Sequence, residues 1–512
     1  MNVMFQKRDF TALPELVLQY TVERYSFDAL LGPLAAVIPV HGDELELWQL
    51  VDRVRCPVKI YSDLGDCTWW GFAAEIKLNL GAWDVGVSID SMHNAVAVAY
   101  QDENNAGQTT RTAFALDAQS IGEYGRREIL LTTNGSNQTH AEAARAAALA
   151  RMRYPTPVIT PAASIGEVGG VIYCRGWGDT LGWTYYDNNY GREEYAPSGS
   201  SAAQNLGDVA ANTRLAQTFQ LDNPWTAKSV SARIMKVGAP ADNFVAALYA
   251  ADGAGGTPGT LLGSGTLAGT AVGTSSEWTD ITLSTGVALS ASTVYWLVLS
   301  RSGAVDPDDY YVAEVSEDLG YADGAFYLHD GANYDPRVPD ADLLFRVLST
   351  MDTAIQADGI GQAAEFISGV DRGTFTSGIL TQQYRDGYAT GAYELNELLW
   401  MGTSNSRRML APINEARRMR IQEEPASNTA PYLLQRDGSL HDASDSPVRN
   451  ELCPVGIWTR LKEVIPPSLS IARLADPSKM FIEQSEYEAA SKRLILTPRG
   501  VQDIFEFGVQ DG

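Results

Sequence analysis

Five histidines stand apart from one another in this 512-residue chain, at His41, His93, His140, His329 and His441, and no Cys-x-x-Cys or His-Glu-x-x-His spacing accompanies them. A metal-ligand set or a nucleophile with its base needs such groups held together, and the sequence sets none side by side. It also contains no Gly-x-Ser-x-Gly elbow and no Gly-x-x-x-x-Gly-Lys-Ser/Thr phosphate loop. Adjacent carboxylates occur at Glu193-Glu194 and Glu423-Glu424. Such a pair could supply an acid and a base across a sugar, but in so acidic a chain it reads as solvated surface charge. Asp306, Asp308 and Asp309 offer the closely spaced oxygens that a hard cation such as calcium takes, with a plain turn as the simpler reading. No cofactor is implied.

Aromatic side chains carry the remaining chemistry. Trp225, Trp278, Trp296 and a tyrosine series at Tyr310, Tyr311, Tyr321, Tyr327 and Tyr334 fall within one stretch of the chain. Aromatic faces stack on the apolar faces of sugar rings, and nearby Asp and Asn can bind the hydroxyls. Trp296 lies in a run that is apolar on both faces and is expected in a core. Tyr310, Tyr311 and Tyr321 lie in polar surroundings and, with Trp278, form the expected glycan-contacting set.

The elements that must position these groups are mostly strands. Aromatics at 9%, 46 glycines and only 20% charged residues fit a β-rich, turn-rich protein, and the length allows about three domains. Lys+Arg 38 against Asp+Glu 63 gives a net charge of −25, which repels a phosphate backbone and an anionic membrane, so specific nucleic-acid binding is not expected. No apolar run is long enough to span a bilayer and none follows the start as a signal core, so the expectation is a protein without a membrane span, not exported by the general route. Cys56, Cys67, Cys174 and Cys453 are expected as reduced thiols.

Residues 43–54 place Leu47, Leu50, Val51 and Val54 on one helical face with Trp48 beside them. Strands at 58–61, 68–80 and 83–89 then form an antiparallel meander, and 94–100 with 109–115 a further hairpin. Residues 123–128, Glu-Tyr-Gly-Arg-Arg-Glu, join two β segments. A helix begins with Thr139 as cap and Glu142 as its partner and presents Ala143, Ala147 and Ala150 to a sheet, until Pro155 and Pro157 stop it. From about residue 192 to 348, eight or nine short strands separated by Gly, Pro and Asp turns predict a two-sheet sandwich of jelly-roll type. Helices at 353–370 and 393–401 and strands at 419–423, 432–435, 457–461, 481–487 and 493–497 follow, with Asp437-Gly438 as a hairpin turn. The ends resemble each other more than the middle, so a sandwich inserted into a continuous host is the economical reading.

The segments Cys56-Pro57-Val58-Lys59-Ile60-Tyr61, Trp69-Trp70-Gly71-Phe72, Ala118 through Glu128 and the Ala-rich helix ending Arg153-Tyr154-Pro155 resemble tail hub proteins of tailed bacteriophages. Cys453 through Trp458, Phe481-Ile482-Glu483 and Leu496 through Gly500 look like the closing part of such a hub, and the specificity lies in the order of these short motifs. Within it, Ala216-Gln217-Thr218-Phe219, Lys236 through Asn243 and Thr293 through Gly303 are similar to a β-sandwich appended to phage tail and bacterial surface proteins. The resemblance implies a mainly β protein with some α. It would have a β-barrel-like hub domain at 1–100, an α+β segment at 101–191, the sandwich at 192–348 and a closing part at 349–512. It further implies a structural, non-enzymatic protein of the virion tail tip, made in the host cytoplasm. Such a protein forms a homo-oligomeric ring, commonly a trimer, that joins the tail tube or distal tail protein to the central fibre or other tip proteins, with DNA passing through its lumen. Trp69, Trp70, Trp400 and Trp458 are its candidate interface anchors, and the insert could contact a host-surface glycan. The alternatives are a carbohydrate-active enzyme or an adhesin using the sandwich as a carbohydrate-binding module.

Overall fold

The computed structural model describes residues 1–499 apart from 14–15, 103–107, 163–166, 187–191, 198–200, 222–223, 318–319, 338–340, 374–377, 383–388, 427–431, 436–438, 443 and 462–478, and the chain is mainly β with some α. The turn at 437–438 therefore lies outside the described residues. A 14-stranded sheet runs, in spatial order, through Asn2–Phe5, Pro57–Tyr61, Cys67–Asn79, Gly169–Arg175, Gly32–His41, Arg24–Asp28, Lys479–Glu488 and Ile457–Leu461. Strands from both ends of the chain thus share one sheet, with Tyr25 opposite Tyr487 and Ser26 opposite Glu486.

The meander forms as its alternation predicts, Pro57–Tyr61 pairing with Cys67–Asn79 and that strand with Trp83–Ser88. Cys56 and Cys67 lie at opposite ends of the first hairpin, because Cys67 pairs with Tyr61 while Cys56 faces Ala73, so both thiols stay free. The helix Glu44–Gln49 starts where the Asp43 carboxylate accepts from the Leu45 amide at 2.9 Å, and it continues as a tight turn over Leu50–Arg53. Leu47, Leu50 and Val54 are buried from it, whereas Trp48 is exposed. The core beneath the large sheet gathers Trp69, Phe72, Trp177, Trp183 and Phe366, and Trp69 is fully buried.

Residue 100 falls inside the strand Ala95–Asp102, which pairs in parallel with Glu128–Ser136 across the helix Ala118–Tyr124. That helix was not anticipated, and residues 123–128 lead from helix to strand instead of joining two strands. The junction needs Gly125 at φ +85, where an added Cβ would collide with the Phe366 ring. The next helix, Gln138–Met152, is capped by Asn137, which accepts from the His140 amide at 3.0 Å, and not by Thr139. It buries Ala141 and Ala148, while Ala143, Ala147 and Ala150 are exposed, because its packing partners Val98, Tyr100 and Leu131 meet the other side. The helix expected over 353–370 ends at Ala363, and Phe366 and Ile367 turn into the core.

Residues 192–348 form a seven-stranded and a six-stranded sheet around a separate core of Leu215, Phe219, Phe244, Leu297, Ile234 and Phe345 among others. From Arg214–Phe219 the chain crosses to Trp225–Val237, back to Asn243–Ala250 and Leu261–Ala268, over to Glu277–Leu289, back to Tyr295–Arg301 and over again to Tyr310–Ser316. This alternation between sheets is the wiring of a jelly roll. The entering strand Arg192–Tyr195 pairs antiparallel with the leaving strand Phe345–Leu348, Arg192 facing Leu348. Two predictions follow from these separate cores. Trp69→Ala should lower stability by about 3–5 kcal/mol in urea unfolding followed by near-ultraviolet circular dichroism. Residues 192–348 expressed alone should give a cooperative thermal transition of their own.

Candidate functional site

The paired carboxylates are the first groups that could do chemistry, and each is held by partners. Glu193 and Glu194 point to opposite faces of the strand Arg192–Tyr195, as successive strand residues must. Glu193 accepts from the Tyr321 hydroxyl at 2.7 Å. Glu194 accepts from Arg346 Nε at 2.9 Å and pairs with Arg192. Glu423 is bound by Arg407 at 2.8 Å and by Asn405 at 3.0 Å. Glu424 receives both guanidinium arms of Arg499 at 2.8 and 2.6 Å and also meets the buried Arg408, which forks onto Glu483 at 2.7 and 2.9 Å. Carboxylates engaged in this way tie neighbouring segments of the chain together.

The acidic loop is a turn. Asp306 Oδ1 accepts from the amides of Asp308 and Asp309 at 3.0 and 3.2 Å, and Asp309 Oδ1 accepts from the Ala239 amide at 2.6 Å. Two of the three carboxylates are thus turned onto backbone donors, and among the described residues no cluster of three metal-ligating side chains occurs.

The expected glycan-contacting set does not share a surface. Tyr310 and Tyr311 open the strand Tyr310–Ser316, so they lie on opposite faces of a sheet and not in a polar loop. Tyr311 is fully buried in the sandwich core, edge-on to Phe244 at 5.4 Å, and donates to the Asp242 carbonyl at 2.7 Å; burial foremost, then the Asp242 charge, pushes its hydroxyl up to about 12. Tyr321 packs edge-on to Phe345 at 5.4 Å, and burial above all, then the Glu193 charge, raises its pKa. Trp278 lies under the Arg346 guanidinium, 3.8 Å from the ring centre. Tyr310 faces Val237 and Trp278 faces Arg233 on the same strand, a separation of roughly 13 Å along it and too far for one sugar ring.

The structure gathers a different aromatic group. On the outer face of the six-stranded sheet, Trp296 stands opposite Tyr249, and its ring meets Tyr327 at 4.6 Å and Tyr334 at 5.5 Å. Trp296 is nearly buried, as anticipated, but beneath these tyrosines and not between the two sheets; its indole donates to the Gly256 carbonyl at 2.9 Å. Tyr249, Tyr327 and Tyr334 remain half-buried. His329 lies 4.4 Å from the Tyr334 ring, and Arg214 donates to the Tyr334 hydroxyl at 3.3 Å. Burial first, then the Arg214 charge, lowers the His329 pKa. Sequence reasoning missed this group because its members come from strands far apart in the chain; only the cross-strand register of Ala216 with Tyr327 and Thr218 with Trp296 aligns them.

Of the four candidate interface tryptophans, Trp69 is core. Trp70 and Trp458 are half-buried, with indoles donating to the Ile413 and Pro425 carbonyls at 2.9 and 2.8 Å. Trp400 is exposed.

No protein-family model matches the chain, and no curated protein matches its sequence. Among solved structures it is faintly similar to the mosquito-larvicidal Cry4Aa toxin of Bacillus thuringiensis, at 7% identity over 64% of this chain and 54% of that one, with a TM-score of 0.16. It is likewise faintly similar to infectious bursal disease virus Gt strain, at 12% identity, 68% and 86% coverage and TM-score 0.12. The N-terminal tandem CBM22 domain from Paenibacillus barcinonensis Xyn10C matches at 9% identity, 60% and 91% coverage and TM-score 0.14. The chain spans about half the length of the Cry toxins it matches. Likenesses this faint decide neither architecture nor function.

One ion pair clamps the sandwich at the Tyr311 end. Arg301 forks onto Asp242 at 2.9 and 2.8 Å, and Asp242 also accepts from the Gly303 amide at 2.8 Å. Partial burial alone would raise the Asp242 pKa, but the Arg301 and Gly303 hydrogen bonds prevail and hold it below the usual carboxylate range. A carboxyl depressed in the folded state stabilises fully above its unfolded pKa, and that contribution is lost as pH falls through the lower folded value. Arg301→Ala should therefore cost about 3 kcal/mol in urea unfolding at pH 7, with the difference from the parent shrinking as the pH falls below the unfolded carboxyl pKa of about 3.9.

Proposed function

We propose that the chain is a structural protomer of a tailed-bacteriophage tail tip, a hub that joins the tail tube to the tip or central fibre and carries an outward sandwich. The observation that carries this reading is the assembly of the hub-like segments. Residues 57–61, 67–79, 457–461 and 479–488 hold the segments whose order resembles tail hubs, and all four strands belong to one sheet although hundreds of residues separate them. The engaged carboxylate pairs favour an assembly role over hydrolysis. Net charge −25 fits a conduit to which passing DNA does not adhere.

In this reading the sandwich faces the host, and its glycan-contacting surface is the outer face of the six-stranded sheet, where Tyr249, Tyr327 and Tyr334 surround Trp296. Half-exposed tyrosines flanked by Arg214 and His329 combine a stacking face with hydrogen-bonding groups, the composition that sugar recognition uses.

A phage carrying an amber codon in this gene, grown in a non-suppressing host, should release filled heads without complete tails. Normal, infectious tails from that host would overturn the proposal. For the insert, Tyr327→Ala and Tyr334→Ala should weaken binding of the full chain to purified host-surface polysaccharide at least about tenfold by biolayer interferometry, with Tyr310→Ala unchanged.

A further inference from the structure

Three of the non-glycine residues with left-handed backbones, Phe10 at φ 68, Arg55 at φ 67 and Arg417 at φ 63, come from distant parts of the chain and meet at one place. The Arg417 guanidinium lies 3.6 Å from the centre of the Phe10 ring, and the Arg55 guanidinium lies 5.8 Å from that ring and 4.5 Å from the Phe366 ring. A left-handed backbone is costly for any residue with a Cβ, and such costs collect where a chain holds groups ready for a ligand.

Both guanidiniums lack an ion pair among the described residues. Arg55 is buried; its Nη2 donates to the Arg8 carbonyl at 3.1 Å, while its Nε and Nη1 have no hydrogen-bond partner. Glu365, whose charge reaches Arg55, is turned to the Arg126 amide at 2.8 Å. Arg417 donates to the Phe366 carbonyl at 3.4 Å. Burial pushes the Arg55 pKa down to about 10 and lowers that of Arg417 as well. In a chain with 63 acidic and 38 basic residues, neighbouring cations without a carboxylate call for an anion from outside the protomer.

There is room for one. Arg417 and Phe10 line a cavity of about 170 Å³, to which Lys59 adds an ammonium and Gln6 an amide. Among the described residues Lys59 makes no ion pair, and Glu415 is the single acid in the lining. Pro57, Val58, Trp70 and Trp177 make much of the remaining wall apolar. The volume is well below the roughly 300 Å³ at which pockets for drug-sized ligands begin, so it suits a single side chain or a short organic acid. A phosphate would press hydrated oxygens against the apolar walls. A carboxylate on a methylene stem sets its charge against the guanidinium and its stem against the rings.

We propose that this cavity binds a carboxylate carried on a short apolar stem, paired by Arg417 and Lys59, with Arg55 behind Phe10 adding to the positive potential. The carboxylate belongs either to a free dicarboxylic acid or to a glutamate side chain of a neighbouring protein. The inference is independent of the tail-tip reading.

The test is isothermal titration calorimetry of the full chain at constant ionic strength, with glutarate, with a capped Gly-Glu-Gly tripeptide and with inorganic phosphate. At least one of the two carboxylates should bind saturably, one per chain, and at least about tenfold more tightly than phosphate. Glutarate binding marks the free acid as the source, and binding of the tripeptide alone marks the protein side chain. Arg417→Ala should weaken that binding at least about tenfold and Lys59→Gln at least about threefold, with Lys228→Ala, a distant exposed cation, unchanged. If Arg417→Ala loses its thermal transition, the half-buried Lys59 carries the comparison. Absence of saturable binding by both carboxylates overturns the proposal, as does phosphate binding of equal strength, or carboxylate binding that the Lys59 change leaves intact.

Discussion

The pairing of Arg24–Asp28 with Lys479–Glu488 is the constraint on which the rest depends. It brings strands from both ends of the sequence into one sheet, and further hydrogen bonds fasten it. The Tyr25 hydroxyl donates to the Glu451 carbonyl at 2.6 Å, and the Ala29 amide donates to the Glu483 carbonyl at 2.8 Å. A contact between residues so distant in sequence forms only after a long loop has closed, and the sandwich limits that cost in two ways. It folds around a core of its own, and its entering and leaving strands lie side by side, so the host experiences the insert as a short loop. Insertion at such a point adds a module without disturbing the frame.

Charge plays a structural part in the same frame. Arg408 and Glu424, both buried, and the half-buried Glu483 and Arg499 form a cluster that ties the strand Arg418–Glu423 region to the closing strands. Each buried ion is costly to desolvate, and removing one member would leave its partners uncompensated. Burial has a parallel effect on the thiols, raising Cys453 to about 12 and leaving it a poor nucleophile at neutral pH. The acidic and nucleophilic side chains most suggestive of catalysis are therefore among those most firmly engaged in packing.

Much of the fold was legible in the sequence because its signals are local. The expected strands at 58–61, 68–80 and 83–89 form within one residue of those bounds, and helical spacing marks Leu47, Leu50 and Val54 for burial. Glycine, proline and aspartate punctuation outlined the sandwich strands. What was not legible depends on register across strands or on which side of an element finds a neighbour. Thr139 and Asn137 are both good caps, and packing against Val98 and Tyr100 decided between the resulting helix faces. Tyr310 and Tyr311 stand in a polar sequence context, yet the strand they open sends one ring inward and the other outward. Trp296 was correctly expected to be buried, but its burial under Tyr327 and Tyr334 on an outer face follows from pairings that no local pattern reveals.

The proposed tail-tip role would place the sandwich on the outer surface of the virion. Gold-labelled antibody raised against residues 192–348 tests it most directly on intact virions in negative-stain electron microscopy. Label is expected at the end of the tail farthest from the head, with none on heads or along the tube. Label confined to other parts of the particle, or particles that carry none while the free protein binds the antibody, would contradict it.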